Sequence, residues 1–300
     1  MKTIFICLKA AFVLVLLLGA GACAPKTVSF ARSKLMMGHV PVSVILRTTA
    51  DLREKALEAT EKAYEIAEKI ERKISEYQPN SEISCLNQNA GKRSCTISQE
   101  TYEILNQSLE MTQKTESAFD IRFASLSNAG RVAPILLQPH RARLTHSDAR
   151  IGVAAIGKGY ILDAMLQMLK KQGFQQALID GGGDIQASGG PWKVAIQVPG
   201  RSPHELSRKF EINDQALATS GNYEQAGNVR DPRTLEKVVR SSSVSVIAPT
   251  LTLANALTTA FYVMGEKMSL SYLSKFPGIQ LFWADPDGKV RHYVSPQNEK

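Results

Sequence analysis

Histidine and cysteine are scarce, five and four residues in 300, and no two histidines stand in the HExxH or His-x-His spacing of a zinc site. That excludes the common zinc hydrolase frameworks. No apolar run approaches the ~18 residues of a membrane-spanning helix. The run at 10–18 has nine residues, which excludes a polytopic membrane protein. Glycine and proline, 20 and 13 residues, are too few for a low-complexity chain. The 36 Lys and Arg against 28 Asp and Glu leave a net charge of +8, but the basic residues are scattered rather than gathered into a stripe. This argues against nucleic acid as a partner and for solubility with a mild attraction to anions. What is present is a globular composition, 44% apolar and 21% charged, long enough for one large domain or two ordinary ones.

The amino terminus reads as an export signal. Lys2 and Lys9 precede the apolar run, and Gly19, Ala20, Gly21 and Ala22 lead to Cys23. This resembles a bacterial lipoprotein signal, with residues 1–22 removed and Cys23 lipidated as a membrane anchor facing the periplasm. Ordinary signal-peptidase cleavage after Ala22 also fits. With Cys7 in the signal, Cys85 and Cys95 remain, ten apart in an oxidising compartment. They close a small disulfide loop, stay as two thiols, or form half of a metal pair.

Residues 40–46 alternate as a strand. Leu52, Ala56, Ala59, Ala63, Ile66, Ile70 and Ile74 step by three or four, which predicts an amphipathic helix over 52–74. A polar loop is expected at 77–93, a helix at 98–115, and irregular chain with short strands at 122–150. Further helices are expected at 159–173 and 253–264, and strands at 177–179, 194–196 and 243–247. Strands at 279–283 and 290–294 flank Asp285, Pro286, Asp287 and Gly288, a hairpin turn. There is no regular βαβ rhythm. The expected class is therefore α+β, with largely antiparallel sheets packed with helices.

Residues 152–159 (GVAAIGKG) nearly match a P-loop but place Gly159 where Ser or Thr would hold a metal. Two readings stay open. Glycines and a following helix start, with Lys158, can receive an anion, or the glycines serve tight helix packing.

Several segments carry more as an ordered set: 37–38 (MG), 74–87 (ISEYQPNSEISCLN), 118–120 (AFD), 156–160 (IGKGY), 182–185 (GGDI), 218–223 (ATSGNY), 231–234 (DPRT) and 254–260 (ANALTTA). In this order they resemble the ApbE family of FAD:protein FMN transferases, from about residue 35 to the carboxyl terminus, so residues 23–300 are expected to form one ApbE-like domain. The resemblance implies that FAD is split with Mg²⁺, that AMP leaves, and that FMN is linked to a Thr or Ser of an acceptor, typically a subunit of a membrane redox complex. It implies that Met37, Tyr77, Ala118, Phe119, Asp120, Lys158 and Val229 line the flavin nucleotide. It also implies that Ala155, Asn255 and Thr259 hold the metal, with Lys158, Asn255 and Thr259 carrying the chemistry.

Those residue types suit phosphoryl transfer, which is mainly positioning and charge neutralisation. Positions 255 and 259 share one helix face, and Tyr77 and Phe119 offer aromatic surface for a ring. The family's metal Asp is Asn255 here. Its Asp-Leu-Gly-Gly-Ile-Ala-Lys-Gly begins at Gly152, a His gives way to Asn228, and Leu235 and His39 replace a Gly and a Thr. The alternative expectation is an ApbE-like lipoprotein that binds FAD or a protein partner without transfer.

Overall fold

The computed structural model describes residues 27–196, 198–199, 208–221 and 229–296. The expected signal, Cys23, Asn222, Tyr223 and Asn228 lie outside them. Among the described residues there are thirteen strands and seven α-helices: β1 (Thr27–Met36), β2 (Val40–Thr49), α1 (Arg53–Ile74), α2 (Glu82–Gln88), β3 (Cys95–Thr96), α3 (Gln99–Lys114), α4 (Asn128–Val132), β4 (Ile135–Gln138), β5 (Arg141–Leu144), α5 (Ala154–Lys171), β6 (Ala177–Gly181), β7 (Asp184–Ser188), β8 (Trp192–Ile196), β9 (Arg208–Ile212), β10 (Ala216–Ser220), β11 (Ser243–Ala248), α6 (Leu251–Met264), α7 (Glu266–Tyr272), β12 (Gln280–Ala284) and β13 (Val290–Val294).

Eight strands form one sheet in the order β1-β2-β6-β7-β10-β11-β12-β13, every neighbouring pair antiparallel. The expected α+β class with antiparallel sheets is what the chain adopts. One face carries α1, α5 and α6. α1 buries Ala56, Ala59, Ala63, Tyr64, Ala67, Ile70 and Ile74, and its small alanines let α5 approach closely. α6 is apolar almost all round and lies in the middle of the core. The other face is covered by the β8–β9 ribbon, where Trp192, Val194 and Ile212 meet Leu178, Leu217, Ile247 and Phe282.

Four expectations change. The polar loop at 77–93 contains α2, because Ser81 caps it by accepting from the Ser84 amide and Ile83 and Leu86 are buried. The stretch 122–150 holds the expected short strands as the β4–β5 hairpin and adds the helix α4. Strands β1, β7, β9 and β10 escape the alternation rule: β1 is a mostly exposed edge strand, and β10 is built of small residues apart from Leu217. Finally, α5 begins at Ala154 rather than 159, so Gly157 and Gly159 lie inside the helix. A Cβ at Gly157 would sit 3.1 Å from Ile74 of α1, and one at Gly159 would sit 2.5 Å from the Leu251 carbonyl of α6. These glycines therefore serve helix packing rather than a phosphate loop. Cys85 and Cys95 are joined as a disulfide, which closes the alternatives of thiols and metal pair. No helix among the described residues is long and apolar enough to cross a membrane.

Candidate active site

The site is assembled at one end of the large sheet. Gly182 and Gly183 turn the chain from β6 into β7 with φ of +66° and +90°, left-handed backbone that favours glycine. The Gly182 amide donates to the Pro41 carbonyl at 3.2 Å. This sets the β6–β7 turn beside the β1–β2 turn, which holds Met37 and Gly38. The Met37 amide donates to Glu71 of α1 at 3.2 Å.

Asp184, the first residue of β7, is only 4% exposed. Its Oδ1 accepts from the Thr219 amide at 3.1 Å. Its Oδ2 accepts from the Asn255 side-chain amide at 2.7 Å and pairs with the Lys158 ammonium at 2.7 Å. Thus β7, β10, α5 and α6 meet on one carboxylate. A buried charge tolerates this position because it is paired and hydrogen-bonded at both oxygens. Nearby, Asp180 accepts from the Gly183 amide at 2.8 Å. Burial pushes its carboxyl up, the Asp184 charge adds to that rise, and Lys158 opposes it.

α5 and α6 are held in contact at two levels. Gly159 provides the close approach, and Asp163 one turn later caps α6. The Asp163 carboxylate accepts from the amides of Leu251 and Thr252, both at 2.9 Å, and from the Thr252 hydroxyl at 2.6 Å. Burial raises the Asp163 carboxyl as well. These supports bring Asn255 of α6 against α5, where a Cβ on Gly159 would lie 2.8 Å from Asn255 Oδ1, and Thr259 follows one turn later on α6.

The start of α5 is clamped from three sides. Asn87 of α2 donates to the Ile151 carbonyl at 2.9 Å and accepts from its amide at 2.8 Å. The Gly152 amide donates to Ile121 at 2.9 Å. Glu76 accepts from the Val153 amide at 2.9 Å. Ile156 and Gly157 fold their amides back on the Val153 carbonyl, so Ala154 and Ala155 supply the first helical amides.

The predicted residues separate into two groups. Lys158 of α5 and Asn255 of α6 meet on Asp184, while Ala155 lies in the first turn of α5, Thr259 one turn after Asn255 on α6, and Met37 in the β1–β2 turn. Tyr77 follows Glu76 at the α5 start and is 84% exposed, and the negative charge of Glu76 raises its phenol. Ala118 and Phe119 are fully in the core, so the Phe119 ring packs rather than forming an open wall for a ligand. The Asp120 carboxylate is taken up by Arg122, accepting from its amide at 2.8 Å and its guanidinium at 2.8 and 3.0 Å. Val229 packs partly buried against the core and opens a turn closed by the Asp231–Arg233 ion pair. Glu76 has no role assigned from the sequence, whereas the carboxylate missing at position 255 points to a nearby acid such as Asp180, Asp184 or Asp231, and of these the structure joins Asp184 to Asn255. The missing carboxylates at positions 152 and 255 were the signal to look for acids supplied from elsewhere.

A metal centre of three or more His, Cys, Asp or Glu does not occur among the described residues. The oxygen donors at hand are instead the Asn255 amide, the Thr259 hydroxyl and backbone carbonyls. The Asn255 Oδ1 is buried with no hydrogen-bond partner among the described residues, an uncommitted oxygen donor. This fits a hard divalent cation, which takes oxygen ligands.

Comparison with known proteins agrees with this architecture. The ApbE family model matches residues 39–283. The FAD:protein FMN transferase of Treponema pallidum is 25% identical over an alignment of 332 positions, covering 92% of this chain and 90% of that protein. The FAD:protein FMN transferase of Vibrio cholerae is 24% identical, covering 77% and 80%. Among solved structures, the flavin transferase ApbE from Vibrio cholerae superposes with a TM-score of 0.72 at 21% identity, covering 90% of this chain and 98% of that one. The apo form of the Pseudomonas stutzeri flavinyl transferase ApbE gives 0.75 at 18% identity, covering 90% and 95%.

Proposed function

The chain belongs to the ApbE family, and from that premise we infer that it is an FAD:protein FMN transferase. A hydroxyl oxygen of a Thr or Ser on the acceptor attacks the FMN phosphorus of FAD. The new O–P bond forms as the bond to the AMP phosphate breaks, AMP leaves, and the hydroxyl proton goes to solvent. The observation that carries the reading is the junction of Lys158, Asp184 and Asn255 beside the α5 start, one cation and one uncommitted oxygen donor at the mouth of a helix amino terminus.

In this reading Lys158 offsets pyrophosphate charge, reaching from Asp184 toward the nucleotide, and the amides of Ala154 and Ala155 face the same anion. Met37 and Tyr77 bound the nucleotide, Tyr77 by its exposed ring. Ala118, Phe119 and Asp120 contribute backbone at the floor, and Val229 closes the far side. Mg²⁺ would be held by Asn255, Thr259 and the Ala155 carbonyl, and when bound it would supply charge neutralisation at the pyrophosphate. Lys158, Asn255 and Thr259 are the residues assigned to the chemistry. The lipid anchor at Cys23, an extracytoplasmic location, and acceptors drawn from membrane redox complexes complete the proposal and rest on the sequence signal and the family resemblance.

The test is incubation of the purified protein with FAD, Mg²⁺ and an acceptor domain, followed by a denaturing gel viewed under ultraviolet light. A fluorescent acceptor band that depends on FAD and the protein is the expected result. An unlabelled acceptor with FAD still bound to the protein would favour a binding role without transfer.

A further inference from the structure

We propose that Asp184 is the acid of the metal site, acting through Asn255 as a positioning residue rather than as a ligand. The proposal rests on the metal reading given above. The Asn255 amide nitrogen donates to Asp184 Oδ2 at 2.7 Å. Rotating the amide by half a turn would set two oxygens against each other at that distance, so the orientation is fixed. The fixed orientation turns Oδ1 away from Asp184 and against Gly159 of α5, where it is buried and has no hydrogen-bond partner among the described residues. An orphaned acceptor of this kind is costly unless something is bound to it.

The neighbouring hydroxyls divide in the same sense. Thr258 donates back to the Asn255 carbonyl at 2.9 Å, whereas the Thr259 hydroxyl has no hydrogen-bond partner among the described residues. Two uncommitted oxygens therefore stand one turn apart on α6. Both are neutral, and a neutral pair lacks the Coulomb attraction that a divalent cation gains from a carboxylate. Asp184 restores a negative charge one hydrogen bond behind the amide, and it polarises the amide so that more negative charge resides on Oδ1. The carboxylate is itself immobilised by the Thr219 amide and Lys158, so its orienting effect is built into the fold. Lys158 then stands between two anions, Asp184 and an incoming phosphate.

Mn²⁺ is the probe, and the readout is loss of the free aqua-ion electron paramagnetic resonance signal on titration with protein. This measures binding without catalysis. Four proteins are compared: wild type, Asp184→Asn, Asn255→Asp and the double exchange, each checked for fold by tryptophan fluorescence and thermal melting. Wild type should bind. Asp184→Asn should bind about 10–100-fold more weakly, the usual effect of losing an outer-shell partner. Asn255→Asp should bind more tightly, and the double exchange should recover at least wild-type affinity, because the carboxylate and amide have only changed places. Binding by the wild type that Asp184→Asn leaves unchanged overturns this inference alone. So does a loss in Asp184→Asn without recovery in the double exchange, since moving the charge does not repair a purely structural defect. Binding by Asn255→Asp only, with none by the wild type, overturns it as well. No binding by any of the four overturns the metal reading itself.

Discussion

The carboxylate of Glu76 occupies the space that a side chain at position 152 would need. A Cβ on Gly152 would lie 2.5 Å from Glu76 Oε2, and the same oxygen accepts from the buried Val153 amide at 2.9 Å. Where the ApbE pattern begins this segment with Asp, the present chain has removed the side chain and brought an acid in from the end of α1. The carboxylate meets the amino terminus of α5, where negative charge is favoured.

Glu76→Ala should therefore leave the Val153 amide unpartnered and cost about 1–3 kcal/mol of stability. Glu76→Gln keeps an acceptor and should cost less. Adding Gly152→Asp to the alanine variant should restore part of the loss, because the acid then arrives from the neighbouring position. Thermal denaturation of the three variants decides this. A double variant no more stable than Glu76→Ala would show that the two positions do not substitute for one another.

Lys158→Ala removes the cation from the mouth of the site. Loss of a charge-assisted contact of about 1.5–3 kcal/mol corresponds to roughly ten- to hundredfold weaker FAD binding. Flavin fluorescence titration measures it. Equal affinity in the variant would remove Lys158 from the nucleotide site.

The parts of this molecule legible in the sequence are those whose signal is local. The alanine and isoleucine stripe of α1 announces both the helix and its buried face, and the Asp-Pro-Asp-Gly turn announces the β12–β13 hairpin. β1 is illegible because an edge strand with one solvated side needs few apolar residues. The start of α5 is illegible because glycine reads as loop, whereas here its missing side chain is what lets α5 touch α1 and α6. In the site, Lys158 and Asn255 stand out by motif. Asp184 is legible only as one of three acids, with Asp180 and Asp231, that could answer for the missing carboxylate, and Glu76 not at all, because each acts across more than 70 residues on a partner that only the fold supplies.

The Cys85–Cys95 disulfide ties α2 to β3, and α2 carries Asn87, which clamps Ile151 ahead of α5. Replacing both cysteines with serine should lower stability by about 2–4 kcal/mol. It should also weaken FAD binding more than it changes the spectrum of the bound flavin, since the effect reaches the site only through α2. Unchanged melting on reduction would show that α2 is held by its buried Ile83 and Leu86 alone.

Cys23→Ser tests the anchor. If the cysteine is lipidated, the variant should leave the membrane fraction and appear among soluble extracytoplasmic proteins. Membrane association equal to wild type would count against lipidation.

Asp180 gives a pH signature. Burial holds its carboxyl above the ordinary 3.8, so in the folded protein it keeps its proton to higher pH than in the unfolded chain. Between those two values the native state binds more protons, and the contribution of Asp180 to stability falls as pH rises. It is fully present below pH 3.8, lost as pH passes through the folded value, and constant beyond it. Asp180→Asn retains an oxygen to accept from the Gly183 amide but carries no charge to desolvate. The variant should gain melting temperature relative to wild type at neutral pH, and the gain should shrink as pH falls toward 3.8. Melting curves of both proteins across an acid-to-neutral series give the difference directly, so carboxylates common to both cancel. A gain that is the same at every pH would mean that the ionisation of Asp180 is not opposed by its burial, and that Lys158 compensates its charge in full.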